Sequence, residues 1–218
     1  MTILIAGDPH RNFSPIIRAC LARDPGTLIL LGDLDCQRPL DQEFAAVMTA
    51  GWHVHWILGN HDCETETAYD NLVGHAGDLG FRVTGLDGVR VAGLPGVFKP
   101  AVWNPIEPPR YRDRDSFLAA QPKARVWRCG LPLWHRDTIF PEDFERLTKQ
   151  KFDVLVTHEA PSCHRHGFAV IDQLAASGGA RLIVHGHHHD SYTATLSNGI
   201  MVRGLGLSET WALPADRG

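Results

Sequence analysis

Short apolar runs alternate along the chain with stretches whose apolar positions recur at helical spacing. Residues 2–6, 27–31, 52–58, 153–156 and 181–184 are the runs; Ile, Leu and Val dominate most of them. Each is too short for an ordinary helix and reads as a buried strand. Ser14 and Pro15 supply an N-cap and a first-turn proline for a helix to about Arg23, with Ile16, Ile17, Cys20 and Leu21 on one face. Helices are also expected at about 41–50, where Phe44, Val47 and Met48 form the apolar stripe, more weakly at about 65–75, from Pro141 to Lys149, and over 168–176. Residues 81–83 and 89–93 suit a hairpin-like pair, and 192–196 with 200–203 close the chain around an Asn198-Gly199 turn. The alternation predicts an α/β fold with buried, largely parallel strands, in a single domain over 1–218.

Five of the strands end in polar clusters: Asp8-Pro9-His10, Gly32-Asp33, Gly59-Asn60-His61-Asp62, Thr157-His158-Glu159 and Gly186-His187-His188-His189. In open α/β sheets, ligands bind outside the carboxyl ends of the strands. Five such placements in one chain mark a site.

Composition narrows its chemistry. Apolar residues at 44% and charged residues at 21% are those of an ordinary globular protein. A formal net charge of -4 argues against a nucleic-acid binder held by phosphate contacts. The chain has no apolar run long enough to cross a membrane, and its N-terminus reads as a first core strand rather than a signal peptide. Five cysteines without a Cys-x-x-Cys pair suggest neither a disulfide framework nor a structural zinc site, so a cytoplasmic setting is expected. Thirteen histidines are the compositional oddity. With Asp and Asn they form a mixed oxygen and nitrogen donor set suited to Mn²⁺, Fe²⁺, Co²⁺, Ni²⁺ or Zn²⁺, and too large for one tetrahedral ion.

The order Asp-x-His, Gly-Asp, Gly-Asn-His-Asp, His, Gly-His-x-His resembles the calcineurin-like metallophosphoesterase superfamily, over Asp8 to His189. The resemblance implies a four-layer αββα sandwich with two packed mixed β-sheets. It implies two divalent metal ions, Mn²⁺ foremost, with Fe, Zn, Co and Ni as alternatives. One ion would take Asp8, His10, Asp33 and His189; the other would share Asp33 and take Asn60, His158 and His187. A shared carboxylate sets two ions roughly 3.5–4 Å apart, the spacing of two-metal hydrolysis. Such a centre, still positive after Asp8 and Asp33 are counted, suits an anionic ester. The expected chemistry is phosphate-ester hydrolysis by a metal-bridging hydroxide, with His61 at the leaving oxygen as stabiliser or general acid. In the protein Ser/Thr phosphatases of this superfamily an Asp holds that histidine; Cys36 stands there in this chain, leaving Asp62 or Asp35 as substitutes by sequence, or His61 unassisted.

Residues 97–138 resist a regular reading, being broken by six prolines. The segment holds eight Lys and Arg against four acids, a net +4 in a chain otherwise at -8. It is expected to form a basic, lid-like excursion, with Arg110, Arg112 and Arg114 as candidate substrate contacts and His164 as a further pocket residue. A small phosphate ester or nucleotide is the expected partner, with no membrane and no nucleic acid. A protein Ser/Thr phosphatase and a diadenosine-tetraphosphate hydrolase are alternatives. So is a catalytically silent scaffold, since fold alone does not prove function.

Overall fold

The structure is a computed structural model and describes residues 2–214; Met1 and residues 215–218 of the expected domain lie outside the described residues. Three of the apolar runs form β1 (Ile3–Ala6), β2 (Thr27–Leu30) and β3 (His53–Trp56), paired in parallel. β10 (Thr210–Ala212) adds to them in the order β10-β1-β2-β3 and runs antiparallel to β1. The second sheet contains β4 (Val83–Leu86), β5 (Val89–Leu94), β6 (Val154–Thr157), β7 (Leu182–His185), β8 (Tyr192–Thr195) and β9 (Met201–Gly204), in the order β4-β5-β6-β7-β9-β8. Its four inner strands are parallel; β4 and β8 are antiparallel edges.

Side-chain alternation decides the layers, because successive residues of a strand face opposite sides. Ile3, Ile5 and Ile29 of the first sheet meet Val91, Val154, Val156 and Val184 of the second in one buried cluster, so the sheets pack face to face. On the outer face of the first sheet, Leu4, Leu28 and Leu30 pack against Ile16 and Cys20 of α1 (Ser14–Leu21), with Leu40, Phe44 and Val47. On the outer face of the second, Leu155 and Ile183 pack against Phe144 and Leu147 of α6 (Pro141–Thr148) and Ile171 and Leu174 of α7 (Ala169–Gly178). The result is the expected αββα sandwich. Among the described residues, no helix is long and apolar enough to cross a membrane.

Three local expectations change. The helix expected over 41–50 is two short ones, α2 (Leu40–Glu43) and α3 (Ala45–Thr49), separated at Phe44, whose φ of -104° leaves the helical range. The irregular segment contains α5 (Arg114–Ala119), which Asp113 caps by accepting the Ser116 N–H at 2.7 Å. β10 is a strand that the alternation does not predict.

The β5–β6 junction offers a stability test. Arg90 donates its backbone N–H and guanidinium to the Asp153 carboxylate at 2.6–3.1 Å. The guanidinium, the largest cause, holds Asp153 near pKa 2 instead of its ordinary 3.8. A depressed carboxylate stabilises the fold above its unfolded pKa and loses that contribution as pH falls through the folded one. Because the pair is partly exposed, about 1 kcal/mol survives solvent screening. Asp153→Asn is therefore expected to lower stability by about that amount at pH 7, with the difference from wild type disappearing between about pH 4 and pH 2. Urea unfolding across that range checks it.

Candidate metal centre

The carboxyl ends of β1, β2, β3, β6 and β7 lie at one edge of the sandwich, and each leads directly into a loop bearing donor side chains. Asp8 and His10 follow β1, Asp33 follows β2, and Asn60 with His61 follows β3. His158 follows β6, and His187 with His189 follows β7. Four of these residues occupy the left-handed region: His10 (φ 40°), Asp33 (51°), His187 (69°) and His189 (56°). For residues with a Cβ this costs on the order of 1–3 kcal/mol each, and such strain concentrates at functional sites. Two glycines make the convergence possible. A Cβ at Gly59 would lie 2.2 Å from Asp33 Oδ1, and one at Gly186 would lie 2.4 Å from Asp8 Oδ1.

The donors face one another. His10 Nε2 and His189 Nε2 are 3.1 Å apart, with His10 Nε2 3.7 Å from Asp33 Oδ2 and His189 Nε2 3.8 Å from Asp8 Oδ2. His158 Nδ1 lies 2.7 Å from the Leu31 carbonyl, which can only accept, so Nδ1 carries the proton there. Its Nε2 then faces Asn60 Oδ1 at 3.1 Å and Asp33 Oδ2 at 3.4 Å. Asp8 accepts the His187 N–H at 2.7 Å through Oδ2, while its Oδ1 is buried with no hydrogen-bond partner. Asp33, His158 and His187 each offer a donor atom within 4.8 Å of the others, as do His10, Asp33 and His61.

This arrangement fits divalent cations. Lone pairs from Asn60 Oδ1, Asp33 Oδ2 and His158 Nε2 converge, and without a cation between them they repel. Burial alone would lower the pKa of His158, but Asp33 and Asp8, with the Leu31 carbonyl, outweigh it and hold the ring at about 10. A proton on Nε2 thus supplies the positive charge that a metal would otherwise bring. Burial raises Asp8 to about 7. Burial first, then the neighbouring His158, lowers His187 to about 4, keeping it in the neutral form that ligates. Burial also leads the lowering at His10 and His189. The buried thiols of Cys36 and Cys63, which lie beside candidate ligands in sequence, are pushed up by burial and are poor candidates to ligate as thiolates.

His61 opens a 3₁₀ turn, His61–Cys63, and its Nδ1 lies 3.0 Å from Glu64 Oε1. Its carboxylate partner is therefore neither of the two suggested by the sequence. Asp35 is taken by Arg11 at 2.5 Å. Asp62 points inward and accepts three backbone N–H groups, from Leu34 and Asp35 through Oδ1 and from Gly59 through Oδ2, all at 2.8 Å. Asp62 thereby ties the loop after β2 to the loop after β3. Burial and the charge of Asp33 raise its pKa to about 6 against the Gly59 and Asp35 N–H groups. Asp62→Ala would leave three N–H groups short of their acceptor and is expected to cost about 3 kcal/mol or more. Denaturant unfolding of the variant checks this.

His164, expected from sequence to be a pocket residue, is committed to the loop that carries His187 and His189. It is buried, its Nε2 lies 3.0 Å from Asp190 Oδ2, and its Nδ1 accepts the His166 N–H. Its ring stacks on His188 at 4.2 Å and 17°. It lines a cavity with Cys163, Asp190 and Tyr192, and its two engaged nitrogens brace the His187–His189 loop. His185 braces the same loop: Nδ1–H donates to the Gly186 carbonyl and Nε2 accepts from the Tyr192 hydroxyl at 2.7 Å. No role for Glu159 is apparent in the sequence; it is buried and accepts the Phe98 N–H at 3.0 Å.

The basic segment 97–138 is fastened across two acidic helices. Arg112 pairs with Glu145 at 2.7 Å, and Arg114 pairs with Glu142 at 2.9 Å and with Asp143, all three acids on α6. Arg128 reaches Asp70 at 2.5 Å and Glu66 at 3.1 Å, on α4 (Glu66–Leu72). Lys99 is buried against Asp137 at 2.7 Å. The charge excess of the segment thus complements its neighbours. Arg112 and Arg114 are engaged by acids of α6, and Arg110 is exposed.

The sequence profile of the calcineurin-like phosphoesterases matches residues 1–191. An uncharacterised protein of Haemophilus influenzae is 40% identical over 194 residues, covering 88% of this chain and 84% of that one. Among solved structures, TT1561 of Thermus thermophilus aligns over 94% of this chain and 89% of its own, with a TM-score of 0.58 and 12% identity. The phosphopantetheinyl hydrolase PptH of Mycobacterium tuberculosis aligns over 99% and 96%, with a TM-score of 0.52 and 16% identity. At those identities the two structures share the fold with this chain.

Proposed function

The chain belongs to the calcineurin-like phosphoesterase family, and we propose that it hydrolyses a small or nucleotide-like phosphate ester at a two-metal centre. Asp8, His10, Asp33 and His189 would hold one ion, and Asp33, Asn60, His158 and His187 the other. The observation that carries the reading is the convergence of oxygen and nitrogen donors around Asp33, with His10 and His189 on one side and His158 and Asn60 on the other. When bound, divalent ions such as Mn²⁺ supply the positive charge that lowers the pKa of water and neutralises phosphoryl oxygens.

The chain's own residues do the rest. Leu31 fixes the tautomer of His158 by accepting its Nδ1–H. The backbone N–H of His61 holds Asp33 Oδ1 at 2.9 Å, so that Oδ2 is turned toward His10 and His158. With Nδ1 of His61 engaged by Glu64, Nε2 is the nitrogen that can hold a proton for the departing oxygen. Asn60 contributes an uncharged oxygen, which leaves the centre net positive toward an anionic ester.

The test is hydrolysis of p-nitrophenyl phosphate and bis-p-nitrophenyl phosphate with added Mn²⁺, Fe²⁺, Zn²⁺, Co²⁺ or Ni²⁺, followed by a panel of nucleotides, cyclic nucleotides and dinucleoside polyphosphates. Metal-dependent turnover that Asp33→Asn removes supports the reading. Absence of turnover with every metal and ester contradicts it.

A further inference from the structure

Trp134 stands apart from the other described tryptophans in its exposure. Trp52 and Trp56 are buried. Trp103 is packed edge-on against Phe98 and Phe144. Trp127 donates its indole N–H to Glu66 and lies between Arg128 and Arg136. Trp134 is 53% exposed. A side chain that can bury 150–250 Å² and is instead left half in water beside a site calls for a reason.

Its setting supplies one. Trp134 lies on the 3₁₀ turn Leu133–His135, which packs against the His61–Cys63 turn. Lys99 Nζ sits 4.3 Å from the ring centroid. That ammonium is itself fixed, by Asp137 at 2.7 Å and by the Trp134 carbonyl. The indole is therefore held from beneath by a buried cation, which restricts its rotation. A rigid ring of this kind is a stacking surface for any flat aromatic group, and base–aromatic stacking tolerates different bases because each has a π-face.

We propose that Trp134 is a specificity-determining platform that stacks the aromatic ring of the leaving group, so that the preferred esters are nucleotides or similar aromatic phosphates. The proposal rests on the phosphoesterase reading and on His61 marking the leaving-group side. The turn that carries Trp134 packs against the turn that His61 opens, and the platform is assigned to the leaving-group side on that contact.

The experiment uses the Mn²⁺-loaded full chain and two non-hydrolysable probes, the methylene phosphonate analogues of AMP and of ribose 5-phosphate. They share the phosphonate and the sugar and differ in the base. Calorimetric titration is expected to show the AMP analogue binding on the order of tenfold more tightly to wild type. Trp134→Ala should bring it to the affinity of the ribose analogue, and Trp134→Phe should keep most of the preference. Equal affinities in wild type, or a preference that survives Trp134→Ala, overturns the platform alone. Failure of both probes to bind overturns the platform as well, while the phosphoesterase reading falls only if metal-dependent turnover is also absent with every ester.

Discussion

Asp33→Asn is expected to lower turnover of p-nitrophenyl phosphate by at least ~10³-fold, a loss of about 4 kcal/mol of transition-state stabilisation. The substitution keeps the shape of the side chain. The Oδ1 that accepts the His61 N–H at 2.9 Å remains an oxygen, so the loop after β3 keeps its anchor. What is lost is the charge on the atom facing both His10 and His158, at 3.7 and 3.4 Å. An amide nitrogen in that place also directs N–H groups at the nitrogen lone pairs. Both ions should bind poorly, and the metal-free protein should also lose stability, because the Asp33 charge helps to hold the buried, protonated His158. A variant that turns over within tenfold of wild type would show that Asp33 is not shared between ions.

His61→Asn carries the second large effect, and it depends on the ester. Removing a general acid typically costs 10²–10⁴-fold where the leaving oxygen must be protonated. On alkyl phosphates, including nucleotides, turnover should fall by about that range. On p-nitrophenyl esters, whose leaving group departs without a proton, the fall should be under about tenfold. Glu64→Gln should lower turnover of the alkyl esters by roughly tenfold. In the His61→Asn background the same change should add nothing, because groups acting as a unit are non-additive. Metal content separates a general acid from a ligand at this position, since His10, Asp33 and His61 donors do lie within 4.8 Å of one another. His61→Asn is expected to retain its metal, and a slope of log kcat against leaving-group pKa that matches wild type would contradict the acid role.

The donor residues are legible in the sequence because each follows its strand within a few positions. An apolar run of four to seven residues fixes where a strand stops, and the strand end then places Asp8, Asp33, Asn60, His158 and His187 at a common edge. The partners of those residues are less legible. Glu64 sits three positions after His61, a spacing that brings side chains together only when the backbone makes a helical turn. The Gly59-Asn60 dipeptide instead reads as a bend. Asp62 has the look of an active-site carboxylate, but its three hydrogen bonds go to N–H groups of loops that are brought together only by the pairing of β2 with β3. The basic segment misleads for a related reason. Its excess charge is visible, whereas the acids that answer it, Glu66 and Asp70 on α4 and Glu142 and Glu145 on α6, are about 60 residues away in one direction and about 30 in the other. Short local patterns specify strands and their ends. Pairings across such separations are set by the packing of helices onto the sheets.

Metal stoichiometry tests the central claim most directly. Wild-type protein loaded with Mn²⁺, passed through a desalting column and measured by plasma mass spectrometry should carry about two ions per chain, as a centre built on one shared carboxylate requires. Asp33→Asn treated in the same way should carry far less than one. A wild-type chain that retains no metal, or an Asp33→Asn chain that retains two, would contradict the shared-carboxylate centre.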